Sequence, residues 1–351
     1  MSRALHAFDA ERLSALTSRF GGARIAVLGD FFLDKYLDVE PAWAEPSLET
    51  GRVAHQVAAI RHAPGAAGTV VNNLVALGAR SLVALGFTGD DGEGWELRQD
   101  LAALGCDLSH LHVDPDRVTP TYLKPCDRTR PGLDGEHNRY DIKNRRPTAP
   151  RIEHALLASL AATLPRIDAL VVMDQVTEDG AGALTAPLIA AIADGAKRFP
   201  RLIAWADSRG RIRRYRNVMV KVNQFELAGI ENPAPGDCVP DETVRAETES
   251  LAALTGAPVF ATVGERGVRV SGPEPVTVPS VRVPAPVDPT GAGDSFTAGA
   301  VLALTAGASR PEAALLGNLV ASVTVRQLGT TGTARPDDLF PALTLWREQN
   351  P

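Results

Sequence analysis

The sequence predicts an α/β protein in which a mostly parallel sheet is covered by helices on both faces and carries a small second β-sheet. Short apolar runs alternate with helical periods along most of the 351 residues, which is the pattern of βα units. Two extended stretches, at about residues 35–64 and 118–145, interrupt this alternation. Hydrophobic residues make up 44% of the chain and charged residues 22%, so we expect a large core and an ordered protein.

The first βα units lie before the second interruption. A short amphipathic helix at 11–20 ends at two glycines, and helices at 69–77 and 92–104 also end at a glycine, a common helix terminator. Apolar runs at 24–29 and 81–86 predict strands that are buried on both faces, because such strands lose the alternation of polar and apolar residues.

After the second interruption the alternation becomes regular. The apolar runs are short, and the helical patterns between them are long enough to return the chain to the same edge of a sheet, so we expect parallel strands. The predicted strands are 169–173, 202–206, 218–222 and 259–263, and the predicted helices are 153–164, 184–198, 241–255, 295–304 and 311–326.

Each interruption contains two extended segments with proline and glycine between them. These segments are 36–40 and 55–61 in the first interruption, and 121–126 and 138–143 in the second. Two strand pairs inserted into an α/β chain predict a separate small sheet that can close over a site as a lid. The stretch 128–137 is rich in Arg, Gly, Pro and Asp, so we expect an exposed turn there.

The strongest functional signal is the stretch 287–296 (VDPTGAGDSF). Gly291, Ala292 and Gly293 form a turn of small residues before a helix, where free N–H groups and the positive end of the helix dipole favour an anion. Asp294 follows at the start of the helix, where a carboxylate can accept the proton of a hydroxyl. The pattern indicates phosphoryl transfer to an alcohol. An ordinary N-cap after a glycine-rich loop is the alternative that these residues leave open.

Polar residues end four of the predicted strands, at Asp30, Asp174, Asp207 and Asn223. Because ligands gather at the carboxyl ends of strands in open parallel sheets, we expect one site along this edge. Asp30, together with Asp34 four residues later, either contacts a substrate or caps a turn.

Asn223 and Glu226 are three residues apart, so one helical turn places them on a common face. An amide and a carboxylate in this arrangement can hold the waters around a Mg²⁺ ion, which keeps several of its waters in proteins. The same two residues also form a capping box at a helix start, and both interpretations stay open.

Two further features suit a nucleotide. The turn from Thr262 through Gly264 to Gly267 would let a nucleotide approach the backbone, but it also fits a β-hairpin. Asn318 lies on a mostly apolar helix, and a buried amide needs a hydrogen-bond partner, which is either protein or ligand.

Composition and absent motifs exclude several classes of protein. A net charge of −6 argues against a generic nucleic-acid binder. Cys106, Cys126 and Cys238 lack metal-ligand spacing, which suits a reducing, cytoplasmic setting without a zinc site. The sequence has no apolar run long enough for a membrane span. It also lacks a GxxxxGK[ST] phosphate loop, an HExxH motif and a GxSxG motif.

The stretch 288–296 resembles the C-terminal signature of the ribokinase (phosphofructokinase B) family of sugar and nucleoside kinases. Residues 29–34 (GDFFLD) are similar to the first strand end of the heptose 7-phosphate kinases in this family. The other matching parts are 221–226 (the family's Asn-x-x-Glu element), 262–267 (its nucleotide turn), and Asn318 with 329–333 (its adenine pocket region). The resemblance covers about 25–339 and implies a ribokinase-like three-layer sandwich with a small β-sheet lid, as one kinase domain over residues 1–351.

The resemblance also implies an activity and its cofactors. ATP would be the phosphoryl donor with Mg²⁺, Asp294 the base, and the N–H groups of 291–294 the anion hole. The implied nucleotide-binding residues are Asn223, Thr262, Gly264, Gly267 and Asn318, with Asn223 and Glu226 reaching Mg²⁺ through water. K⁺ binding near Asp288, Thr290 and the 329–333 loop is implied for many members, and pairing of lid edges implies a homodimer.

The acceptor is the part that the resemblance leaves open. In the stretch 64–69 (PGAAGT), Ala66 and Thr69 stand where the family has a glycine and an asparagine near the sugar. We expect acceptor contacts from Asp30, Asp34, Gly65 and Asp174, with Lys124 or Arg139 of the lid holding a phosphate or lying in a solvated lid face. A heptose 7-phosphate is the favoured acceptor. The alternatives are a nucleoside or simple ketose or ribose kinase, and a non-catalytic sugar or nucleotide sensor.

Overall fold

A nine-stranded sheet runs through the centre of the protein. The computed structural model describes residues 3–130, 132–234 and 236–351. In these residues the strands are β1 Arg24–Gly29, β2 Phe31–Val39, β3 Glu45–Pro46, β4 Val53–Ala54, β5 Val57–Ala66, β6 Ser81–Gly89, β7 Asp107–Asp114, β8 Thr121–Asp127, β9 Tyr140–Ile142, β10 Ala169–Asp174, β11 Ile203–Ser208, β12 Met219–Asn223, β13 Val259–Thr262, β14 Val268–Val270 and β15 Val276–Val278. The central sheet has the order β15-β14-β13-β12-β11-β10-β1-β6-β7. Neighbours from β13 to β7 are parallel, and β14 and β15 add an antiparallel edge.

Helices cover both faces of this sheet, which gives three layers. In the described residues they are α1 Arg3–His6, α2 Ala10–Thr17, α3 Ala67–Ala76, α4 Gly92–Ala103, α5 Pro150–Thr163, α6 Ala186–Arg198, α7 Gln224–Ala228, α8 Asp241–Thr255, α9 Ala292–Thr305, α10 Arg310–Thr324 and α11 Leu339–Gln349. One hydrophobic cluster unites the sheet with α2, α3, α4, α9, α10 and α11, and a second unites it with α5, α6, α7 and α8.

Strand β1 shows why the sequence lacks polar–apolar alternation there. Ile25 and Val27 belong to the first cluster, whereas Ala26 and Leu28 belong to the second. Because successive side chains point to opposite faces, a strand between two helical layers needs apolar residues at every position. Burying one such side chain contributes about 1.5–3 kcal/mol, so the run specifies the strand's central place strongly.

The lid is a separate four-stranded sheet of order β5-β2-β8-β9. Strand β2 pairs with β5 antiparallel and with β8 parallel. The pairing of β2 with β5 extends from Phe31↔Ala66 to the outer end of both strands. Strands β3 and β4 form an additional small hairpin between β2 and β5. The lid therefore continues directly from β1 and leads directly into α3.

Several boundaries differ from those that the sequence pattern predicts. The first lid strand begins at Phe31 rather than residue 36, because its apolar start is buried in hydrophobic clusters instead of forming a turn. Helix α9 begins at Ala292, three residues earlier than expected. The pattern missed β7, β14, β15 and α11. Of the predicted turn at 128–137, Pro131 lies outside the described residues, and a 3-10 helix occupies Gly132–Gly135. Among the described helices, none combines the length and apolar character that crossing a bilayer requires.

Candidate active site

The turn at 291–294 lies where three segments of the chain meet. Gly291 precedes α9 with a φ of 75°, a left-handed conformation that favours glycine. A Cβ at Gly291 would lie 3.5 Å from the methyl carbons of both Thr69 and Thr331. The start of α3 and the loop after α10 therefore flank the N-terminus of α9.

The backbone N–H groups of this turn are not all free. Ala292 N–H donates to the Pro289 carbonyl at 3.1 Å, so the prediction that it belongs to an anion hole does not fit the structure. In the part of the chain that the structure describes, the N–H groups of Gly291, Gly293 and Asp294 have no acceptor. Unpaired N–H groups at the positive end of a fourteen-residue helix form a site that favours an anion.

Asp294 lies in the first turn of α9, and Gly291 occupies the N-cap position, so the interpretation of Asp294 as an N-cap does not apply. Its side chain is half-buried. Burial and the nearby charge of Asp207 raise the pKa of Asp294 to about 7, while Lys221 and Arg209 oppose the shift. A general base works best when its pKa lies near the working pH, which this carboxylate satisfies.

A buried ion pair lies beneath the turn. Lys221 Nζ is 2.7 Å from Asp207 Oδ2, and the two residues are partners in the β11–β12 register. Burial alone would lower the pKa of Lys221, but the charges of Asp207 and Glu226 outweigh it and raise the pKa. No sequence motif predicted a role for Lys221 itself. A lysine inside an apolar strand pattern is the signal that could have identified it.

The lid contributes a second buried pair. Lys124 Nζ lies 3.2 Å from Asp34 Oδ1, and both side chains are almost fully buried. Lys124 also donates to the Tyr36 hydroxyl at 3.4 Å. A Cβ at Gly65 would lie 3.1 Å from Asp34 Oδ2, so a side chain at position 65 would crowd the Asp34 carboxylate. The structure thus brings Asp34, Gly65 and Lys124 together, with the charge of Lys124 neutralised by Asp34.

A cleft of about 500 Å³ lies between the lid and the loops before α9 and after α10. It is lined by Tyr36, Asp38, Arg61, Lys124, Cys126, Asp127, Arg128, Arg130, Glu136, Asp288, Thr290, Leu328, Gly329 and Thr330. Arg139 is not among these residues. Its guanidinium forms a pair with Asp141 at 2.6 Å and lies 4.2 Å from the centre of the Tyr122 ring, so its charge is also balanced.

Asp30 and Asp174 were predicted to bind substrate, and their placement does not fit that role. Asp30 accepts hydrogen bonds from the backbone N–H groups of Gln175, Val176 and Ala183 at 2.7–2.9 Å. Burial, with the charge of Asp174, raises the pKa of Asp30 to about 6, and the three N–H groups oppose the shift.

Asp174 is completely buried and is bound by Arg211, by the Ser208 hydroxyl at 2.6 Å and by the Tyr215 hydroxyl at 3.2 Å. Asp30 and Asp174 therefore hold the loop after β10 and the segment after β11 in place. A strand-end acid stabilises a loop when backbone N–H groups surround it, and sequence alone did not reveal those partners.

Asn223 and Glu226 form a capping box at the start of α7. Asn223 Oδ1 accepts from the N–H groups of Phe225 and Glu226, and Glu226 Oε2 accepts from Asn223 N–H. Direct Mg²⁺ coordination by Asn223 Oδ1 would compete with two hydrogen bonds. Glu226 Oε1 is left for waters around Mg²⁺, which fits an ion that keeps its waters. In the described residues no group of three His, Cys, Asp or Glu side chains is placed to hold a metal directly.

The predicted nucleotide turn joins β13 to β14 as an antiparallel pair. Gly264 and Gly267 have φ values of 55° and 94°, and Thr262 donates to the Val222 carbonyl at 3.4 Å. Asn318 donates to the carbonyls of Val278 and Pro279 at 3.2 and 3.0 Å, so its amide nitrogen has protein partners. The hairpin interpretation therefore holds for the turn, and nucleotide contacts by these residues stay predictions.

Asp288 is buried and joins two loops. Its Oδ1 accepts from Thr290 N–H at 2.9 Å, and its Oδ2 accepts from Gly329 N–H at 3.0 Å. The predicted K⁺ region is thus brought together in one place. Loop carbonyls and a carboxylate are suitable ligands for a hard cation, and whether K⁺ binds stays a prediction.

Comparison with known proteins identifies the family. Residues 24–337 match the pfkB family of carbohydrate kinases, and the chain belongs to this family. It is 27% identical over 329 residues to the bifunctional protein HldE of Bradyrhizobium diazoefficiens, which covers 90% of the chain and 62% of the relative. It is 30% identical over 329 residues to HldE of Caulobacter vibrioides, with 91% and 63% covered. The chain thus spans less than two thirds of the length of these relatives.

Solved structures confirm the predicted ribokinase-like fold. Phosphofructokinase-2 from Escherichia coli, in complex with substrates and products, has a TM-score of 0.69 at 18% identity and covers 93% of this chain and 99% of that one. Ribokinase from Cryptococcus neoformans, in complex with ADP, has a TM-score of 0.60 at 19% identity with the same coverage. The predicted family of carbohydrate kinases is thus confirmed.

Proposed function

We propose that the protein transfers the terminal phosphoryl group of ATP to a hydroxyl of a sugar phosphate, with a heptose 7-phosphate as the favoured acceptor. The observation that carries this proposal is the position of Asp294. Its pKa is raised to about 7 by burial, and it lies among unpaired N–H groups at the N-terminus of α9. This combination provides a base and an anion site within one helical turn.

The chain's own groups divide the work as follows. Asp294 accepts the hydroxyl proton of the acceptor, and the N–H groups of Gly291, Gly293 and Asp294 stabilise the charge on the moving phosphoryl group. Lys221 adds a fixed positive charge beneath the turn. Glu226 would hold waters of Mg²⁺, which neutralises phosphate charge when bound. Phosphoryl transfer depends mainly on positioning and charge stabilisation, which are the roles that these groups would have.

The preference for a heptose 7-phosphate rests on the relatives. HldE proteins from several bacteria are 27–33% identical to this chain over more than 320 residues. We place the acceptor beneath the lid, beside Asp34 and Gly65, because Asp34 pairs with Lys124, which lines the cleft of about 500 Å³.

A second candidate is a kinase for an uncharged sugar, and one observation favours it. Both lid cations that would hold an acceptor phosphate are already paired, Lys124 with Asp34 and Arg139 with Asp141. A paired cation binds an added phosphate less strongly than a free one. Comparing kcat/KM for a heptose and for its 7-phosphate separates the two candidates, since the phosphorylated acceptor should be preferred only under the first.

We also propose a homodimer that forms through the lid, K⁺ binding beside Asp288 and Thr290, and a cytoplasmic location. The edge strands β5 and β9 of the lid expose apolar side chains, including Ile60 and Tyr140 at 57% and 62% exposure. Exposed edges of this kind tend to pair with another chain. Support for K⁺ comes from Escherichia coli phosphofructokinase-2, which has been solved in complex with potassium.

The test is Asp294→Asn in a coupled assay that detects ADP over a panel of sugars, sugar phosphates and nucleosides. We expect turnover to fall about 10²- to 10⁴-fold, as for loss of a general base. Asp194→Asn, at an exposed position of α6, is the matched control and should keep full turnover. Near-normal turnover of Asp294→Asn would disprove the base assignment. Tight sugar binding by the wild type without turnover of any acceptor would instead indicate a sensor.

A further inference from the structure

Arg209 begins the segment that follows β11, at the same sheet edge as the candidate active site. It is two residues beyond Asp207, which pairs with Lys221 beneath the turn. The backbone N–H of Arg209 donates to the Asp174 carbonyl at 3.0 Å, so its main chain is fixed. Its side chain is exposed. The backbone of Arg209 is thus held beside the site, and its long cationic side chain extends from there into solvent.

The charge of Arg209 acts on three groups of the site. Burial raises the pKa of Asp294, of Glu226 and of Tyr122, and in each case Arg209 is one of the cations that oppose the shift. These groups belong to α9, α7 and the lid strand β8, respectively. Arg209 therefore lies near the catalytic turn, the candidate Mg²⁺ region and the lid at the same time.

Three other cations of the site are already paired. Lys221 pairs with Asp207 at 2.7 Å, Lys124 with Asp34 at 3.2 Å and Arg139 with Asp141 at 2.6 Å. In the part of the chain that the structure describes, the Arg209 side chain makes neither an ion pair nor a hydrogen bond. It is thus a free positive charge at a site where an anionic ligand would arrive.

The arginines that follow Arg209 in the sequence differ from it, because they have partners. Residues 209–216 (RGRIRRYR) contain five arginines, of which four have partners within the protein. Arg211 binds Asp174, Arg213 binds Glu247, Arg214 binds Asp179, and Arg216 donates to the carbonyls of Arg213 and Tyr215. These four hold the segment in place, and Arg209 remains available for a ligand.

We propose that Arg209 binds a phosphoryl group of a ligand at the candidate active site, through the two-pronged geometry by which a guanidinium recognises phosphate oxygens. The phosphoryl group is the terminal phosphate of the donor nucleotide or the phosphate of the acceptor. The proposal rests on the proposed kinase function and assigns a residue to its anion recognition.

The test compares three variants by calorimetry. Arg209→Gln removes the charge and keeps the length, Arg209→Lys keeps the charge without the two-pronged geometry, and Arg201→Gln is the matched control. Arg201 is exposed just before the other end of β11, so its replacement changes the net charge equally. Each variant is titrated with β,γ-methylene ATP, ADP, a heptose 7-phosphate and the same heptose without phosphate. Unchanged circular dichroism of each variant establishes that it is folded.

We expect Arg209→Gln to weaken binding of one phosphorylated probe about ten- to a hundredfold, the usual size of one charge-assisted contact. Loss for the methylene analogue but not for ADP identifies the donor's terminal phosphate. Loss for the heptose 7-phosphate but not for the heptose identifies the acceptor's phosphate. Arg209→Lys should recover part of the affinity, and Arg201→Gln should bind like the wild type.

Two results would overturn the proposal: wild-type affinities of Arg209→Gln for all four probes, or an equal loss in Arg201→Gln, which would indicate only a change in net charge. If the protein is not a kinase, the results would differ from these two outcomes. The wild type would then bind the methylene analogue and phosphorylate no acceptor, while the difference between Arg209→Gln and wild type for that analogue would still be measured.

Discussion

A Cβ at Gly293 would lie 2.6 Å from the Nζ atom of Lys221. This distance is shorter than any stable contact between a carbon and an ammonium group, so the turn can lie on the ion pair of Lys221 and Asp207 only while residue 293 has no side chain. The turn and strand β12 thus pack closely against each other at the site.

Gly293→Ala should therefore impair catalysis. The methyl group must push the ammonium away from Asp207 or lift the turn, and overpacking of this kind costs about 1–3 kcal/mol. We expect kcat/KM to fall at least tenfold and the free energy of unfolding in urea to decrease. Gly92→Ala is the control, because a Cβ at Gly92 meets open space. Equal kinetics for the two variants would show that the turn does not depend on this contact.

The pH dependence of kcat/KM should report the raised pKa of Asp294. A base must be deprotonated, and burial raises the pKa of Asp294 to about 7. The active fraction therefore falls as the pH drops below about 7, and we expect kcat/KM to decrease tenfold per pH unit there and to level off above it. Steady-state kinetics from pH 5.5 to 9 check this. A profile flat down to pH 5.5 would contradict the assignment.

Arg209 opposes the raised pKa of Asp294 that burial causes, so its loss should shift this profile. In Arg209→Gln we expect the acidic limb to move to higher pH, because the carboxylate loses a stabilising positive charge. Arg201→Gln should leave the limb in place. A shift to lower pH in Arg209→Gln would mean that Arg209 does not act on Asp294.

Ala66→Gly should stabilise the protein. Ala66 has a φ of 52° at the junction of β5 and α3, and a non-glycine residue in that region is strained by about 1–3 kcal/mol. Allowing for the greater freedom of glycine in the unfolded chain, we expect a gain of about 1 kcal/mol in the free energy of unfolding. The control is Ala67→Gly, within the first turn of α3, which should be destabilised by about 1 kcal/mol. Urea denaturation of both variants makes the comparison.

The pair of Asp34 and Lys124 should be strongly coupled. Both side chains are almost fully buried, and removing one partner leaves an uncompensated charge, which typically costs about 3–5 kcal/mol. Asp34→Asn and Lys124→Met, with the double variant, form a cycle in which we expect a coupling energy of about 1–3 kcal/mol. The partly exposed pair of Asp38 and Arg61 in the same lid is the control, with an expected coupling below about 1 kcal/mol. Similar coupling in the two cycles would contradict the role of burial.

Sequence patterns predicted the fold where burial on both faces left a continuous apolar run, as in β1, β10 and β11. They missed β7 (DLSHLHVD), because an edge strand mixes polar and apolar residues. They placed the first lid strand too late, because the apolar start at Phe31 and Phe32 was assigned to a strand end.

For the site, the GAGD turn was visible because its chemistry is local in sequence. The role of Asp30 could not be predicted from the sequence, since its N–H partner Ala183 is 153 residues away. Two strand-end acids with the same local pattern, Asp30 and Asp207, thus have different partners, and only the tertiary fold distinguishes them. Likewise, Lys221 lay within an apolar pattern, and only strand pairing placed it against Asp207.

The lid strands β2 and β5 join the core without any linker, since Asp30 separates β1 from β2 and β5 ends where α3 begins. Hydrogen-bonded strands are stiff, so the lid cannot swing independently, as a flap on a flexible hinge would. Any tilt of the lid moves the start of α3, where the Thr69 methyl group lies 3.5 Å from the position that a Cβ of residue 291 would occupy. A movement of the lid is therefore transmitted through the start of α3 to the catalytic turn. An acceptor that shifts the lid also changes the alignment of the groups that react with it.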